Sequence, residues 1–130
     1  MALCRRREVV GMRSTDELGR YGEDLAAQHL TAAGLEVLDR NWRCREGELD
    51  IVARDGAELV FVEVKTRSGV GFGEPSEAVG PVKARRIRQL ACRWQIDNRP
   101  AGDVGLRFDV VSIVRQRGYA PVVEHLRAAF

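Results

Sequence analysis

Cysteine and histidine are scarce in this sequence of 130 residues, and their spacing argues against two classes of small protein. The three cysteines, Cys4, Cys44 and Cys92, are an odd number without a C-x-x-C pair, and the two histidines, His29 and His125, lie far apart. Zinc sites and disulfide frameworks need closely spaced ligands or paired cysteines. We therefore expect reduced thiols, as in proteins of a reducing compartment.

Long apolar runs are missing as well. The longest strongly apolar stretch, residues 59–64, has the length of a strand, whereas a membrane-spanning helix needs roughly 20 apolar residues. The basic N-terminal segment is not followed by the apolar stretch of about 7 to 15 residues that an export signal contains. These absences predict a cytoplasmic protein that has no contact with a membrane.

What the sequence does contain is enough apolar residue for one core. A composition of 45% hydrophobic and 31% charged residues fits a single domain, which we place at residues 14–130. Residues 1–13 show no periodicity and are expected to form a disordered basic arm, or to result from a gene start placed too early, with Met12 as the alternative. The net charge of +2 does not by itself indicate a nucleic-acid-binding protein.

Hydrophobic periodicity predicts the order helix, three strands, helix, strand. The first helix begins at a capping box formed by Ser14 and Glu17 and ends at Gly34. The three strands, at residues 36–42, 47–54 and 58–67, are separated by short polar turns and should form an antiparallel meander.

The second helix has Pro81 in its first turn and should end near Asn98. The following strand, residues 106–114, can lie parallel to the third strand only through a crossover over this helix. Residues 119–126 add a short edge strand that tolerates Pro121. The predicted fold class is α/β, with a mixed sheet and flanking helices.

Alternation along two neighbouring strands places four charged residues together. Successive side chains of a strand point to opposite faces, so each strand offers one apolar triplet to the core. The triplets are Leu49, Ile51, Ala53 and Val60, Val62, Val64. We expect the opposite face, at the ends remote from the hairpin turn, to present Glu48, Asp50, Glu63 and Lys65.

The register of this hairpin depends on its two-residue loop. With Gly56-Ala57 as a glycine-first turn, Asp50 faces Glu63 and Glu48 faces Lys65. With Asp55-Gly56 as the loop, Asp50 instead meets Glu63 diagonally, at roughly 7 to 8 Å. Both registers bring the same acids together.

Neighbouring carboxylates repel each other unless a cation lies between them. Carboxylate oxygens without nearby cysteine or histidine suit Mg²⁺ or Mn²⁺, and Lys65 could neutralise charge during phosphodiester hydrolysis. The alternative interpretation is an exposed hairpin face, on which Glu48 pairs with Lys65 and Asp50 is solvated.

The second helix indicates a polyanionic partner. No acid occurs from residue 78 to residue 96, while five basic residues flank the apolar stripe. They are Lys83, Arg85, Arg86, Arg88 and Arg93. A solvated amphipathic helix is the alternative. Arg67, at the end of the third strand, could add a phosphate contact, and Gly69, Gly71 and Gly73 form a loop that DNA could approach closely.

The combination of GELD, FVEVKTR and FGEP resembles the YraN-like family of bacterial proteins, over nearly all of residues 18–114. That family resembles the archaeal Holliday-junction resolvases of the restriction-endonuclease-like fold. The resemblance implies that Asp50 and Glu63 bind a metal, that Lys65 is the catalytic lysine and that Glu23 is an auxiliary acid. It also implies a homodimer with paired sites. Glu48 fits as a partner of Lys65, and Leu49 replaces the superfamily's proline.

Together, these features predict an endonuclease dependent on Mg²⁺ or Mn²⁺ that hydrolyses phosphodiester bonds in branched or junction DNA. The alternative is a non-catalytic nucleic-acid-binding protein of the same fold, and a third interpretation is a purely structural subunit. The sequence leaves open whether the nucleic acid is DNA or RNA, and branched or linear.

Overall fold

The computed structural model describes residues 5–6, 14–68, 79–100, 102 and 104–130. Their helices and strands are, in chain order, β1 (Arg5–Arg6), α1 (Ser14–Ala32), β2 (Glu36–Cys44), β3 (Gly47–Asp55), β4 (Glu58–Ser68), α2 (Pro81–Asn98), β5 (Gly105–Arg115) and β6 (Val122–Leu126). The arm predicted for residues 1–13 lies outside the described residues except for β1, and so does the predicted glycine loop with Gly69, Gly71 and Gly73.

The described strands form one mixed sheet in the order β1-β2-β3-β4-β5-β6. Neighbouring strands are antiparallel except for β4 and β5, which are parallel and are connected through α2. The predicted meander, crossover and α/β class are therefore confirmed. Proline has no N–H to donate to a ladder, and the edge strand β6 accordingly begins directly after Pro121.

The β3–β4 hairpin adopts the glycine-first register. Asp55 pairs with Glu58 across the loop Gly56-Ala57, and the ladder continues to Ile51 opposite Val62. Gly56 has φ 60, the left-handed value that the first residue of such a turn requires. The alternative Asp55-Gly56 loop is wrong.

Helices cover both faces of the sheet. Ala26 and Leu30 of α1 pack in one hydrophobic cluster with Ile51 of β3, whereas Leu90 and Trp94 of α2 pack in a second cluster. The face opposite the predicted apolar triplets, which was expected to present the four charged residues at its ends, is thus also a core. Its buried strand residues include Val52, Leu59, Phe61, Phe108 and Val110.

Leu49 also departs from the prediction, because it packs in the cluster beneath α2 rather than with Ile51. Its partner in β2 is Trp42, and the preceding β2 residue, Asn41, has φ 53. A left-handed residue interrupts the regular strand geometry on which the alternation argument depends. Simple two-residue periodicity therefore fails at this point of the sheet.

Gly22 sets how closely α1 approaches the sheet, and Gly80 marks the beginning of α2. A β-carbon at Gly22 of α1 would collide with the side chain of Thr66 in β4, so only glycine allows this contact. Gly80 is the N-cap of α2, Pro81 occupies its first turn as predicted, and Arg99 caps its C-terminus in a left-handed conformation. Among the described helices, none has both the length and the apolar character needed to cross a membrane.

Candidate active site

Asp50 and Glu63 occupy the strand positions that directly follow the last pair of the β3–β4 ladder, Ile51 and Val62. Asp50 Oδ2 accepts a hydrogen bond of 2.9 Å from the backbone N–H of Val64. This contact fixes the aspartate against the neighbouring strand. The two acids therefore lie side by side, as the register argument predicted.

Asp50 is in an environment that disfavours its charge. Burial raises its pKa well above the usual range, and the adjacent Glu63 carboxyl raises it further. The hydrogen bond from Val64 acts in the opposite direction without compensating. The alternative interpretation, in which Asp50 is solvated on an exposed hairpin face, is therefore wrong.

Glu23 lies close enough for its negative charge to contribute to the raised pKa of Asp50. Its Oε1 atom is buried, and it follows Gly22, whose close contact with Thr66 holds α1 against β4. The helix thus brings a third acid towards the strand pair. No set of three or more acidic, histidine or cysteine side chains in the described part of the chain has metal-binding geometry.

Lys83 supplies a positive charge from α2. Its Nζ atom lies 3.0 Å from Glu63 Oε2, with the lysine side chain 56% exposed and the glutamate side chain 11% exposed. The two residues face a cleft of about 730 Å³ between the strands and the beginning of α2. Glu48, Asp50 and Arg86 also line this cleft.

Lys65 is half-buried on β4, two residues beyond Glu63, and pairs in register with Ser112 of the parallel strand β5. Alternation places it on the same face as Glu63. Glu48 was expected to face Lys65, but the β3–β4 ladder ends at Ile51 and Val62, before these two positions. Glu48 is instead located as part of the cleft wall.

The other predicted nucleic-acid-binding residues lie in different environments. Arg85 and Arg86 are exposed on α2, and Arg86 lines the cleft. The guanidinium of Arg88 lies 4.4 Å from the centre of the Phe108 ring, a cation–π contact that anchors the helix to β5. Arg67 is half-buried near the end of β4.

Two features were missed in the sequence. Lys83 was assigned only to phosphate binding, although its position four residues before the buried Ile87 places it on the sheet-facing side of the helix. The second feature is Asp109, which is fully buried and accepts hydrogen bonds from Arg107, His125 and the Ala128 N–H. A lone acid within the apolar run of β5 was its only signal.

The carboxylate pair is chemically suited to a small divalent cation. Mg²⁺ is commonly held by one or two carboxylates, with water and phosphate oxygens completing its octahedron. An ammonium group already lies within 3.0 Å of Glu63, so this position accommodates positive charge. Asp50 and Glu63 therefore fit as the protein ligands of Mg²⁺ or Mn²⁺.

The fold and this cleft define a class: an α/β protein with a mixed sheet, whose acidic pair lies beside a basic helix. More specifically, residues 22–113 match the family described as Uncharacterised protein family UPF0102, and the chain belongs to that family. This confirms the YraN-like family that the motifs predicted.

Relatives in this family are similar over nearly their whole length. The chain is 57% identical to a UPF0102 protein of Frankia alni over 121 residues, which cover 93% of this chain and 100% of the relative. It is 53% identical to one of Acidothermus cellulolyticus over 124 residues, covering 88% of this chain and 94% of that protein. A UPF0102 protein of Streptomyces griseus is 55% identical over 116 residues, covering 89% and 98%.

Proposed function

We propose that the protein is a nuclease of restriction-endonuclease-like topology that hydrolyses phosphodiester bonds using Mg²⁺ or Mn²⁺ held by Asp50 and Glu63. The observation that carries this proposal is the half-buried aspartate placed directly beside a second carboxylate, in a cleft whose other wall is cationic. Adjacent acids destabilise each other, and a binding module has no use for them near phosphates.

The basic wall suits the phosphate backbone. Lys83 and Arg86 line the cleft, and α2 begins there with no acidic residue in its first turn. The N-terminus of a helix favours anions through its free N–H groups and its dipole. We expect these groups to hold the phosphodiester next to the acids.

The chain's own groups divide the chemistry between them. Asp50 and Glu63 would hold the ion, and Lys65 would orient the attacking water and neutralise charge in the transition state. The bound ion would polarise the phosphate and lower the pKa of that water. Glu23, on the third side, would help to orient the same water or ion.

A non-catalytic nucleic-acid-binding role is the second candidate. It is favoured by the exposed Arg85 and Arg86 of α2, which can contact phosphates without a metal ion. The basic face of α2 would serve this role equally well.

Junction DNA is two-fold symmetric, and cutting both its strands would need two copies of the site, so a homodimer is part of the proposal. A cytoplasmic location would give access to nucleic acid. DNA is the proposed substrate, with RNA as an arm of the test.

The test uses labelled branched, nicked, linear and single-stranded DNA and RNA with Mg²⁺ or Mn²⁺. Asp50→Asn should reduce cleavage by orders of magnitude, while metal-free binding holds or tightens because a negative charge is lost. Lys65→Ala should abolish turnover and leave metal binding largely intact.

A separate variant, Arg86→Ala, tests nucleic-acid binding. Arg86→Ala should weaken binding to all substrates and reduce the slope of log K against log salt by about one. The matched control is Arg93→Ala, because Arg93 lies further along the same helix and pairs with Asp97 at 3.4 Å. If the parent cuts no substrate with either metal while Arg86→Ala still impairs binding, the nuclease proposal fails and the binding role stands.

A further inference from the structure

Lys83 and Glu63 form an ion pair whose two side chains differ in their exposure to solvent. The glutamate side chain is held on a strand and is 11% exposed, whereas the lysine side chain, on the first turn of α2, is 56% exposed. The carboxylate therefore has a fixed position, while the ammonium group can leave it by rotating its long flexible stem into solvent. Such a pair can exchange its cation without moving the backbone.

The same carboxylate is a proposed metal ligand, so the two cations compete for it. Mg²⁺ binds carboxylate oxygens at about 2.0–2.1 Å, and the ammonium nitrogen lies 3.0 Å from Glu63 Oε2. Like charges at such short separations repel strongly in a partly buried site. An ammonium group at Oε2 therefore opposes binding of the ion to the same carboxylate, and its displacement removes that repulsion.

We infer that Lys83 is the resident counter-cation of the Asp50–Glu63 pair, and that a divalent ion binds there by displacing its ammonium group. This inference rests on the metal site of the proposed function. The displaced ammonium stays at the mouth of the cleft, next to Arg86. Before metal binds, the charge of Lys83 is neutralised by Glu63. After metal binds, the same charge is available to a phosphate, so metal binding and polyanion binding are coupled.

The test is titration of Mn²⁺ into the full chain without nucleic acid, followed by calorimetry. Lys83→Gln removes the competing ammonium group and should tighten Mn²⁺ binding by about tenfold. Arg86→Gln removes an equal charge from the same cleft wall and reports the general electrostatic effect alone, expected at about two- to threefold. Lys83→Arg keeps the pair and should remain near the parent.

Thermal unfolding provides a second readout. Without metal, Lys83→Gln should unfold at a lower temperature than the parent, because the acidic pair loses its neutralising partner. Its gain in melting temperature on addition of Mn²⁺ should exceed that of the parent, because a ligand stabilises in proportion to its affinity for the folded state. Arg86→Gln should keep the melting temperature of the parent without metal and should show only a small additional gain on addition of Mn²⁺.

Equal tightening in Lys83→Gln and Arg86→Gln, or weaker Mn²⁺ binding in Lys83→Gln, would overturn the inference. Absence of Mn²⁺ binding in the parent and in Lys83→Gln would overturn it together with the metal site. If the parent cuts nucleic acid but Lys83→Gln does not bind Mn²⁺ more tightly than the Arg86 control, only the inference fails. If Lys83→Gln tightens binding while no substrate is cut, the nuclease proposal fails and the cation exchange stands.

Discussion

Asp50 lies at a position where a charged carboxylate costs folding free energy and a neutral side chain would be more stable. Its pKa is raised by burial and by the Glu63 carboxyl. A native pKa above the unfolded value of about 3.9 means that the folded state binds the proton more tightly. Stability is therefore lost as the pH rises from the unfolded value through the raised native one, and the loss is complete only above the native pKa.

Asp50→Asn should consequently stabilise the metal-free protein at pH 7, by about 1 kcal/mol, while it removes the proposed activity. The asparagine oxygen can still accept the hydrogen bond from Val64. Urea unfolding without metal would measure the change. Asp24→Asn is the control: it breaks the exposed 2.6 Å ion pair with Arg40 and should leave stability unchanged or slightly lower. A destabilised Asp50→Asn protein would contradict this account of the site.

Residue-level chemistry could be predicted where it follows from strand geometry. Asp50 and Glu63 were placed together because alternation and a glycine-first turn determine which side chains of a hairpin face each other. The contact of Lys83 with Glu63 depends on how α2 is positioned over the sheet. The apolar spacing of Ile87, Leu90 and Trp94 predicts which side of the helix is buried. It does not predict where on the sheet that side packs.

At the scale of elements, the approach of α1 to β4 sets the position of Glu23. The β-carbon that alanine would add at Gly22 collides with Thr66, whereas one added at Gly19 meets nothing within 4 Å. The two glycines lie on the same helix, three residues apart. Their substitution by alanine should therefore have opposite effects.

Gly19→Ala should stabilise the protein by up to about 1 kcal/mol, because alanine is the better helix former. Gly22→Ala should destabilise it by about 1–3 kcal/mol, because the helix must shift away from the strand. Thr66→Ala in the same chain should restore part of that loss, since it removes the colliding oxygen. Chemical denaturation of the three variants measures these differences, and equal effects at Gly19 and Gly22 would exclude a tight contact.

The order of the elements was predictable because their periods of hydrophobicity differ, but the use of both sheet faces was only half anticipated. Val52, Leu59 and Phe61 alternate with the predicted core triplets and are themselves apolar, which indicates a strand buried on both sides. The acids that follow them along both strands obscure this signal, because they make the same face polar at its far end. The reversal at Leu49 could not be foreseen, since it accompanies the left-handed Asn41 in the neighbouring strand.

At the scale of the whole molecule, two clusters of charge in its described part differ in character. In the proposed active site, acids are crowded and only partly compensated by Lys83. The other cluster extends from Asp109 to the β3–β4 turn, where Arg107 pairs with Asp109 at 2.9 Å, with Asp55 at 2.8 Å and with Glu58 at 3.1 Å. Its three acids share Arg107 as a common partner, as expected for a structural network.

This second cluster should dominate the stability of the protein in acid. Burial, the largest single influence, raises the pKa of Asp109, but the hydrogen bonds from His125, Arg107 and the Ala128 N–H together outweigh it, and the pKa is lowered. A lowered native pKa contributes stability above the unfolded value of about 3.9. That contribution is lost as the pH falls below this value and through the native one.

Asp109→Asn should therefore lower the free energy of unfolding at neutral pH by about 3 kcal/mol, because Arg107 and His125 lose a fully buried charged partner. Its unfolding free energy should also fall less steeply than that of the parent below about pH 4. Asp97→Asn, which breaks only the helical pair with Arg93, is the control and should keep the parent's slope. If the unfolding free energies of Asp109→Asn and the parent fall with the same slope below about pH 4, this network does not govern acid unfolding.

The same variant also tests whether the two clusters are coupled. The folded Asp109→Asn protein should bind Mn²⁺ with unchanged affinity, because sites without a shared partner are expected to be energetically independent.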